Sequence, residues 1–414
     1  MKKIIYKLLL LVSFILITLV IILSSVGIET SRLNNLISNK IIESNNNINL
    51  ELTKIKFKLD IKKARLFVET KNPQIDYRNI NIPTKNIRVY LDFISLVKSE
   101  IKIKKIYLVL NQLDVEQLKK ISITFKPSNF TSFLNNKIKK GKINTEIEIY
   151  FDKNNLLDNF IARGSVLSLT AKIINNINLD KTNFSFFADK SDILLKNIFG
   201  NVGPLKISDG DLKLKLSPEI SLETNFKSKL NYNNKLVNLT KLFKEFKYAK
   251  NIISLEGDLS NNFTINFDET YKIKNYSYKN TGKILETTLD FKKPLSDYLS
   301  SEKIKKLSLI DSEIKSSFSP QKNIINISGK YLLNKDIPLA FNLSNIIDNE
   351  LLKLKLDADY TRPLELELIN YVKQKNKIAN ISINLEKQKD LINIKKFKLK
   401  EFENEFLIEE VKFK

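Results

Sequence analysis

The side chains in this sequence that could act in catalysis are carboxylates, serines and lysines, because the chain contains no histidine. It therefore lacks the commonest general base and the commonest metal ligand. Carboxylates pair at Glu403 and Glu405, where an alternating strand would place both on one solvated side, and at Glu409 and Glu410. The serine to lysine spacing of serine acyl enzymes occurs at 300–303 and 312–315, but the companion motifs of those enzymes are missing. We expect no enzymatic activity.

Cofactor and metal sites are equally poorly supported by the sequence. The chain has 9 glycines, and the closest approach to a phosphate-binding loop is Gly200 to Gly203, which Pro204 follows. Acidic residues do not show the spacing of a calcium loop. The chain has no cysteine and so forms no disulfide, and packing and backbone pairing alone must stabilise it. The sequence predicts no cofactor and no metal.

The net charge of +23 would ordinarily suggest a nucleic acid or an anionic membrane surface as partner. Basic residues interleave with aromatic ones in the stretch that contains Lys241, Lys244, Lys247 and Lys250 with Phe243, Phe246 and Tyr248, which gives a weak likeness to a single-strand binding surface. The apolar run at residues 8–28, described next, predicts that the rest of the chain is exported. An exported location argues against nucleic-acid binding, and we predict no nucleic-acid partner. Most of the charge is interpreted as a solvated face, with a weak attraction to acidic head groups.

Residues 8–28 form an uncharged, apolar run of 21 residues, with Lys2, Lys3 and Lys7 before it and Glu29 after it. As a helix it would be about 31 Å long, close to the thickness of a bilayer core. The lysines predict a cytoplasmic N-terminus and an exported remainder. The alternative is a signal peptide that is cleaved after Gly27, which would export the rest as well.

Beyond this anchor, residues 29–47 are predicted as a juxtamembrane helix and residues 48–414 as one β domain. The β domain shows strict alternation of apolar and polar residues, which is typical of strands with one apolar face. A short helix is predicted at residues 129–140, with Ser128 as its cap and Gly141 as its stop. The apolar positions that we predict to line a binding face are Ile143, Ile147, Ile149, Leu212, Leu214, Leu216, Leu352, Leu354 and Leu356.

The predicted fold class is mostly β, with an N-terminal transmembrane helix, a long, curved, antiparallel sheet and a few short amphipathic helices. A sheet with one apolar face must cover that face with a second layer, or hold something other than protein against it. Stacked sheets and a trough that holds acyl chains both satisfy the pattern. Alternation by itself does not separate them.

Three stretches resemble the opening of the AsmA-like superfamily: the helix at residues 30–42, the strand at residues 50–61, and residues 81–110, where Ile82 and Pro83 lead into a strand. The later stretches 207–216 and 391–400 look like strand units of the same group, especially its YhdP-like and TamB-like members. Those proteins are kin to the chorein-type bridge-like lipid transfer proteins. This chain is much shorter than the large members, which places a full bridge between two membranes in doubt.

The resemblance implies a protein of Gram-negative bacteria that is anchored in the inner membrane by a single span and lies mostly in the periplasm. It further implies an open β-groove that conducts phospholipids toward the outer membrane. The expected partners are phospholipid acyl chains, the inner membrane, and a periplasmic or outer-membrane protein at the C-terminal end. The alternative is an anchored scaffold that modulates outer-membrane protein assembly without carrying lipid.

Overall fold

A computed structural model describes residues 2–32, 34–44, 47–61, 65–92, 102–124, 129–152, 156–174, 177–203, 205–233, 252–270, 272–295, 303–366 and 370–414. About 70% of the chain is strand, and hydrogen bonding assigns 21 strands to one large antiparallel sheet that is not closed into a barrel. An N-terminal apolar helix and a few short helices complete the fold. The predicted fold class is thereby confirmed in its composition, its antiparallel pairing and its open sheet.

The helices are α1 (Lys2–Ser25), α2 (Asn34–Ser44), α3 (Val115–Ile123) and α4 (Asn129–Lys137). The strands are β1 (Ile28–Thr30), β2 (Ile48–Glu51), β3 (Ile55–Asp60), β4 (Arg65–Lys71), β5 (Gln74–Tyr77), β6 (Ile80–Asn81), β7 (Thr84–Leu91), β8 (Ile103–Leu110), β9 (Leu113–Asp114), β10 (Ile138–Phe151), β11 (Leu157–Ile174), β12 (Ile177–Ala188), β13 (Asp192–Val202), β14 (Leu205–Lys215), β15 (Ser221–Asn233), β16 (Ile252–Phe267), β17 (Ile273–Leu295), β18 (Ile304–Phe318), β19 (Lys322–Leu333), β20 (Leu339–Asp348), β21 (Leu351–Tyr360), β22 (Leu364–Leu366), β23 (Tyr371–Lys373), β24 (Ala379–Gln388), β25 (Leu391–Glu401) and β26 (Asn404–Phe413).

Helix α1 contains a segment long and apolar enough to span a membrane, Ile4–Ser25, with a mean hydropathy of 2.9 and no buried residues. Its hydroxyl groups bond back to the preceding turn, as when Thr18 donates to the Phe14 carbonyl at 2.8 Å. The helix ends earlier than the predicted residue 28. Gly27, at φ +78°, forms the left-handed turn after it, and its N–H donates to the Ile22 carbonyl.

The chain divides into two compact units. Unit 1 comprises Met1–Lys172 and Lys181–Leu195, and unit 2 comprises Ile173–Asp180 and Lys196–Lys414. In unit 1, antiparallel pairing runs in the order β1, β3, β4, β7, β8, β10 and β11. Strand β9 pairs with β10, and β2, β5 and β6 form a separate small sheet.

Unit 2 is an antiparallel meander in which each strand pairs with the next from β14 to β21 and then from β24 to β26. Strand β21 pairs directly with β24. The hairpin of β22 and β23 therefore leaves the sheet and returns to it. Its Leu364 is buried against Tyr360, Ala379 and Leu399.

Two helix predictions need correction. The juxtamembrane stretch begins as a strand, because residues 28–30 pair with β3, and α2 starts only at Asn34, whose side-chain amide donates to the carbonyls of Leu52 and Thr53. The helix predicted at residues 129–140 is α4, and it ends at Lys137. Gly141 lies inside β10, where a bulge replaces regular pairing. The polar and basic sequence near residue 140 fits a helix end and a strand bulge equally well. A further apolar stripe with helical spacing, at Leu236, Leu239, Leu242, Phe243 and Phe246, predicts another helix, but these residues lie outside the described part of the chain.

Candidate apolar binding face

The pairing registers of unit 1 align apolar residues from seven neighbouring strands into one transverse row. Directly paired residues in antiparallel strands point to the same face of a sheet, so the registers alone define the row. At a spacing of about 4.8 Å per strand, the row is about 29 Å long. Its members are Ile28, Phe57, Val68, Val89, Ile106, Ile149 and Phe160.

The row of unit 1 begins at Ile28, directly after the turn that ends α1. Only Val26 and Gly27 separate the end of the helix at Ser25 from Ile28, and β1 is hydrogen-bonded to β3. A Cβ at Gly27 would lie 2.8 Å from the Phe57 carbonyl oxygen, so the close approach requires glycine. The apolar face therefore starts three residues after the last residue of the candidate membrane span.

The opposite face of unit 1 carries an ordered network of charges and aromatic rings. Glu69 is 3% exposed and accepts hydrogen bonds from Arg88 at 2.8 Å and Asn86 at 2.9 Å, with Lys58 at 3.0 Å. Burial by itself would raise the pKa of Glu69, but the hydrogen bonds from Asn86, Lys58 and Arg88 outweigh it and lower the pKa to about 2.

Lys105 continues this network on the same face. Its ammonium lies 3.0 Å from Glu148 and over the ring of Tyr90, 5.0 Å from the centroid. Because both charges are paired within the sheet, the network satisfies itself. Unit 1 thus has one apolar face and one polar face, as the alternation predicts.

In unit 2 the registers extend one transverse row across all eleven strands from β14 to β26 that belong to the sheet. The row has eleven residues and is about 48 Å long. Three of them, Thr224, Asn323 and Lys387, are polar or charged, and the other eight are apolar or aromatic. The eight are Leu212, Phe263, Tyr278, Phe318, Ile347, Leu352, Ile392 and Phe413.

The predicted lining residues take the following places. Ile143, Ile147 and Ile149 lie half-buried on one face of β10, and the last two pair with Leu108 and Ile106. In unit 2, Leu212 and Leu352 share one transverse row, and Leu214, Leu354 and Leu356 lie on the same face. Leu216 follows the last residue of β14 and lies in the connection to β15. The registers thus bring together predicted residues that are more than a hundred positions apart in sequence.

Burial within the same chain distinguishes covered from uncovered parts of these faces. Where the hairpin of β22 and β23 packs, Leu399 is 2% exposed, and where α3 and α4 pack against β10, Leu113 is 1% exposed. Leu352 and Leu354 are only half-buried, although they lie within the sheet. The main packing partners of β21 in the described part of the chain are its sheet neighbours β20 and β24. Lateral neighbours shield these leucines, and in the described part of the chain their front remains partly exposed.

A buried hydrogen-bond network interrupts the apolar face of unit 2. The side-chain oxygen of Asn261 accepts from the Tyr278 hydroxyl at 2.7 Å and from the side-chain amide of Asn280 at 2.8 Å. The side-chain amide of Asn261 donates to the Ser228 hydroxyl at 2.9 Å. Sequence reasoning missed this network because asparagines in strands look like solvated positions. The rings of Tyr278 and Phe318 stack beside it with centroids 5.9 Å apart. These residues form a polar, self-satisfied interval between two apolar stretches.

The residues considered for catalysis are not assembled into a site. Ser312 is fully buried on the apolar face and donates to the Ile310 carbonyl, whereas Lys315, three residues along the strand, points to the other face. Glu403 lies in the turn before β26 and not in the strand, and Glu405 pairs with Lys398 at 2.8 Å. Ser300 lies outside the described residues. No cluster of acidic side chains that could hold a metal occurs among the residues that the structure describes.

The polar face of unit 2 carries one open pocket of about 360 Å³ around Asp211, Asn225, Asn262 and Lys279, which share a transverse row. The Asn262 amide donates to the Asn225 carbonyl oxygen at 2.5 Å, and Asp211 accepts from Lys196 at 2.8 Å. These groups satisfy one another within the sheet. The apolar faces are therefore the stronger candidate for a functional site.

The comparisons with known proteins add no relative. No family model matches the sequence, no curated protein matches it, and no solved structure matches the fold. The class that the structure itself defines is a mostly β protein with an N-terminal candidate membrane span and a large antiparallel sheet.

Proposed function

We propose that this protein is anchored in a membrane by α1 and binds the acyl chains of phospholipids on the apolar faces of its sheet. The observation that carries the proposal is the open front of those faces, where Leu352 and Leu354 remain half-buried between their strand neighbours. Acyl chains gain about 0.8 kcal/mol for each methylene that leaves water. A face made mainly of aliphatic and aromatic side chains would hold them without fixing their position, which suits sliding transfer.

The position of Ile28 and Phe57 supports entry of lipid from the bilayer that holds α1. The row of unit 1 begins directly after the helix, so an acyl chain leaving that bilayer would first meet Ile28 and Phe57. The basic residues before the apolar segment favour a cytoplasmic N-terminus and an exported sheet. With the AsmA-like sequence patterns, this supports a periplasmic protein that passes phospholipid from the inner toward the outer membrane.

Site-specific photo-crosslinking in the full chain tests this function, because lipids bound around α1 cannot then be mistaken for lipids on the sheet. A benzophenone amino acid replaces Leu354 on the apolar face or, as the matched control, Lys355 on the opposite face. Ile106 and Tyr107 form the corresponding pair in unit 1. We expect phosphorus-labelled lipid on the probes at 354 and 106 and background labelling at 355 and 107.

Equal labelling of both faces, or none on either, contradicts the proposal. Protein adducts on the apolar face without lipid adducts would instead support a scaffold that binds other proteins. Each probe pair is adjacent in sequence but points to opposite faces, and comparing the expression and thermal unfolding of its two members separates lipid contact from an effect on folding.

A further inference from the structure

The turns at one end of the strands of unit 2 differ chemically from the turns at the other end. The registers place residues 334–338, 361–363, 370–378 and 402–403 at one end, because Leu333, Leu339, Tyr360 and Ala379 lie at the strand ends there. Lys303 belongs to this end as well, since its carbonyl accepts from the Asn334 amide. We call these segments, which include strand β23, the basic end. Residues 216–220, 268–272, 319–321, 349–350 and 389–390 form the opposite end.

Large apolar side chains are exposed at the tips of the basic end. Ile337, Val372 and Ile378 are 55%, 59% and 58% exposed, and Phe402 is 77% exposed. Phe402 has φ +51° in a two-residue turn, a conformation that glycine or asparagine adopts at lower energy. A bulky aromatic ring held in that conformation and turned into solvent is unfavourable for an isolated fold. Strain together with exposure points to a contact surface.

The two ends also differ in charge, and the end with the exposed apolar tips is the more basic one. The described turns of the basic end carry exposed lysines at 303, 335, 375 and 377 against the acidic residues Asp336 and Glu403. The opposite end carries two lysines, at 272 and 389, against five acidic residues: Glu219, Asp268, Glu269, Glu350 and Asp390. The described turns of the basic end therefore combine exposed apolar tips with an excess of lysines, whereas the described turns of the opposite end carry an excess of acidic residues.

The basic end is also braced so that its tips hold a fixed arrangement. The fully buried Lys373 donates to the carbonyls of Arg362 and Gln374, both at 3.1 Å, which fixes β23. Arg362 in turn pairs with Asp336 at 2.6 Å and so ties the hairpin to the turn at 334–338. Because Tyr371 and Lys373 point inward, Val372 between them points outward.

We propose that the basic end of unit 2 docks on the surface of a lipid bilayer that contains anionic phospholipids. Protruding apolar side chains insert at the level of the head groups, while the lysines around them attract anionic lipid. A bilayer accounts for both features, because apolar tips and lysines share the same turns. This contact is separate from α1 and from the apolar faces, so it stands whether or not those faces carry lipid.

The test uses the absence of native cysteine. In the full chain, Val372→Cys at the basic end and Ile273→Cys at the opposite end are each labelled with an environment-sensitive nitrobenzoxadiazole dye. Ile273 is the matched control, since it is 60% exposed, as Val372 is 59% exposed. The labelled proteins are reconstituted in vesicles of phosphatidylcholine with about one-third phosphatidylglycerol, or of phosphatidylcholine alone, with a nitroxide-labelled lipid as quencher.

We expect the dye at position 372 to shift to shorter wavelength and to be quenched by the nitroxide lipid in anionic vesicles only. The dye at position 273 should remain as in water. Lys335→Glu with Lys377→Glu should weaken the response by at least about 25-fold, since each lost lysine removes about a fivefold factor at an anionic surface. The control Lys389→Glu at the opposite end should leave the response unchanged.

Each other outcome overturns the proposal. Equal signals at positions 372 and 273 would show that the basic end has no preference for the bilayer. A signal that is as strong with phosphatidylcholine alone, or one that survives the double charge reversal, would remove the role of the lysines. A water-like signal at position 372 in anionic vesicles would leave the tips to a protein partner instead. All of the changed residues are exposed, and circular dichroism verifies that the variants fold.

Discussion

Leu354→Asp is the most direct perturbation of the proposed lipid site. Leu354 pairs with Asn345 on β20 and with Leu385 on β24, on the same face as Leu352 and Leu356. An acyl chain that crosses the strands passes about four methylenes over each strand spacing of about 4.8 Å. Complete removal of four methylenes from water would contribute about 3 kcal/mol, and one-sided contact with an open face contributes about half of that.

Losing this contact at one strand should weaken phospholipid binding by about tenfold, since about 1.4 kcal/mol corresponds to a factor of ten. The measurement is a titration of the delipidated full chain, held in amphipol, with a phospholipid that carries a fluorescent polyene acyl chain. Lys355→Asp is the matched control, because Lys355 is exposed on the opposite face of the same strand. Equal affinities for wild type and Leu354→Asp, with normal thermal unfolding of both, would refute the assignment of this face.

Three further predictions concern stability. Gly329→Ala should destabilise unit 2 by about 2 kcal/mol or more in chemical denaturation, because the new Cβ would lie 2.3 Å from the Ser312 hydroxyl oxygen. The control is Gly203→Ala, whose Cβ meets no atom within 4 Å. It should cost only about 1 kcal/mol, because of the φ of +56° at that position. Asn261→Leu should cost about 2 kcal/mol, because the Tyr278 hydroxyl and the Asn280 amide lose their shared acceptor, and Asn262→Leu on the polar face is the control. Glu69→Gln should flatten the pH dependence of the free energy of unfolding between about pH 5 and pH 2. The pKa of Glu69 is lowered in the folded state, so the ionised carboxylate stabilises the fold above its unfolded pKa of about 4.3. This contribution of about 3 kcal/mol is lost as the pH falls toward 2. An acid limb unchanged in Glu69→Gln would show that other carboxylates control it.

The sequence predicted which face of a strand a residue lies on, but it did not predict which strands and residues pair with each other. Alternation assigned Ile147 and Leu354 to apolar faces, and the structure places both on the face that the period of two implies. That Leu212 and Leu352 lie in one row depends on the pairing of six intervening strands, and a pattern of interchangeable aliphatic residues contains no such register.

Boundaries were less predictable than faces. Ile28 continues the apolar composition of α1, and only its pairing with Phe57 places it in a strand. Glu403 fits the alternation of β26 but lies in the turn before it, because the chain reverses at Phe402 in a conformation that phenylalanine rarely adopts. Tertiary pairing therefore overrode local preference at these positions.

The distribution of lysines revises the interpretation of the net charge. On the strands, many lysines face acidic partners, as in Lys105 with Glu148, Lys353 with Glu386 and Lys398 with Glu405. Such paired lysines contribute little field beyond the sheet, since each is neutralised within about 3 Å. The lysines at 335 and 377 lie instead on turns beside exposed apolar tips. Pairing with acidic residues across the strands accounts for the first group, whereas the second group is the one that would face the anionic bilayer proposed above. The net charge therefore combines two sets of lysines in different structural settings.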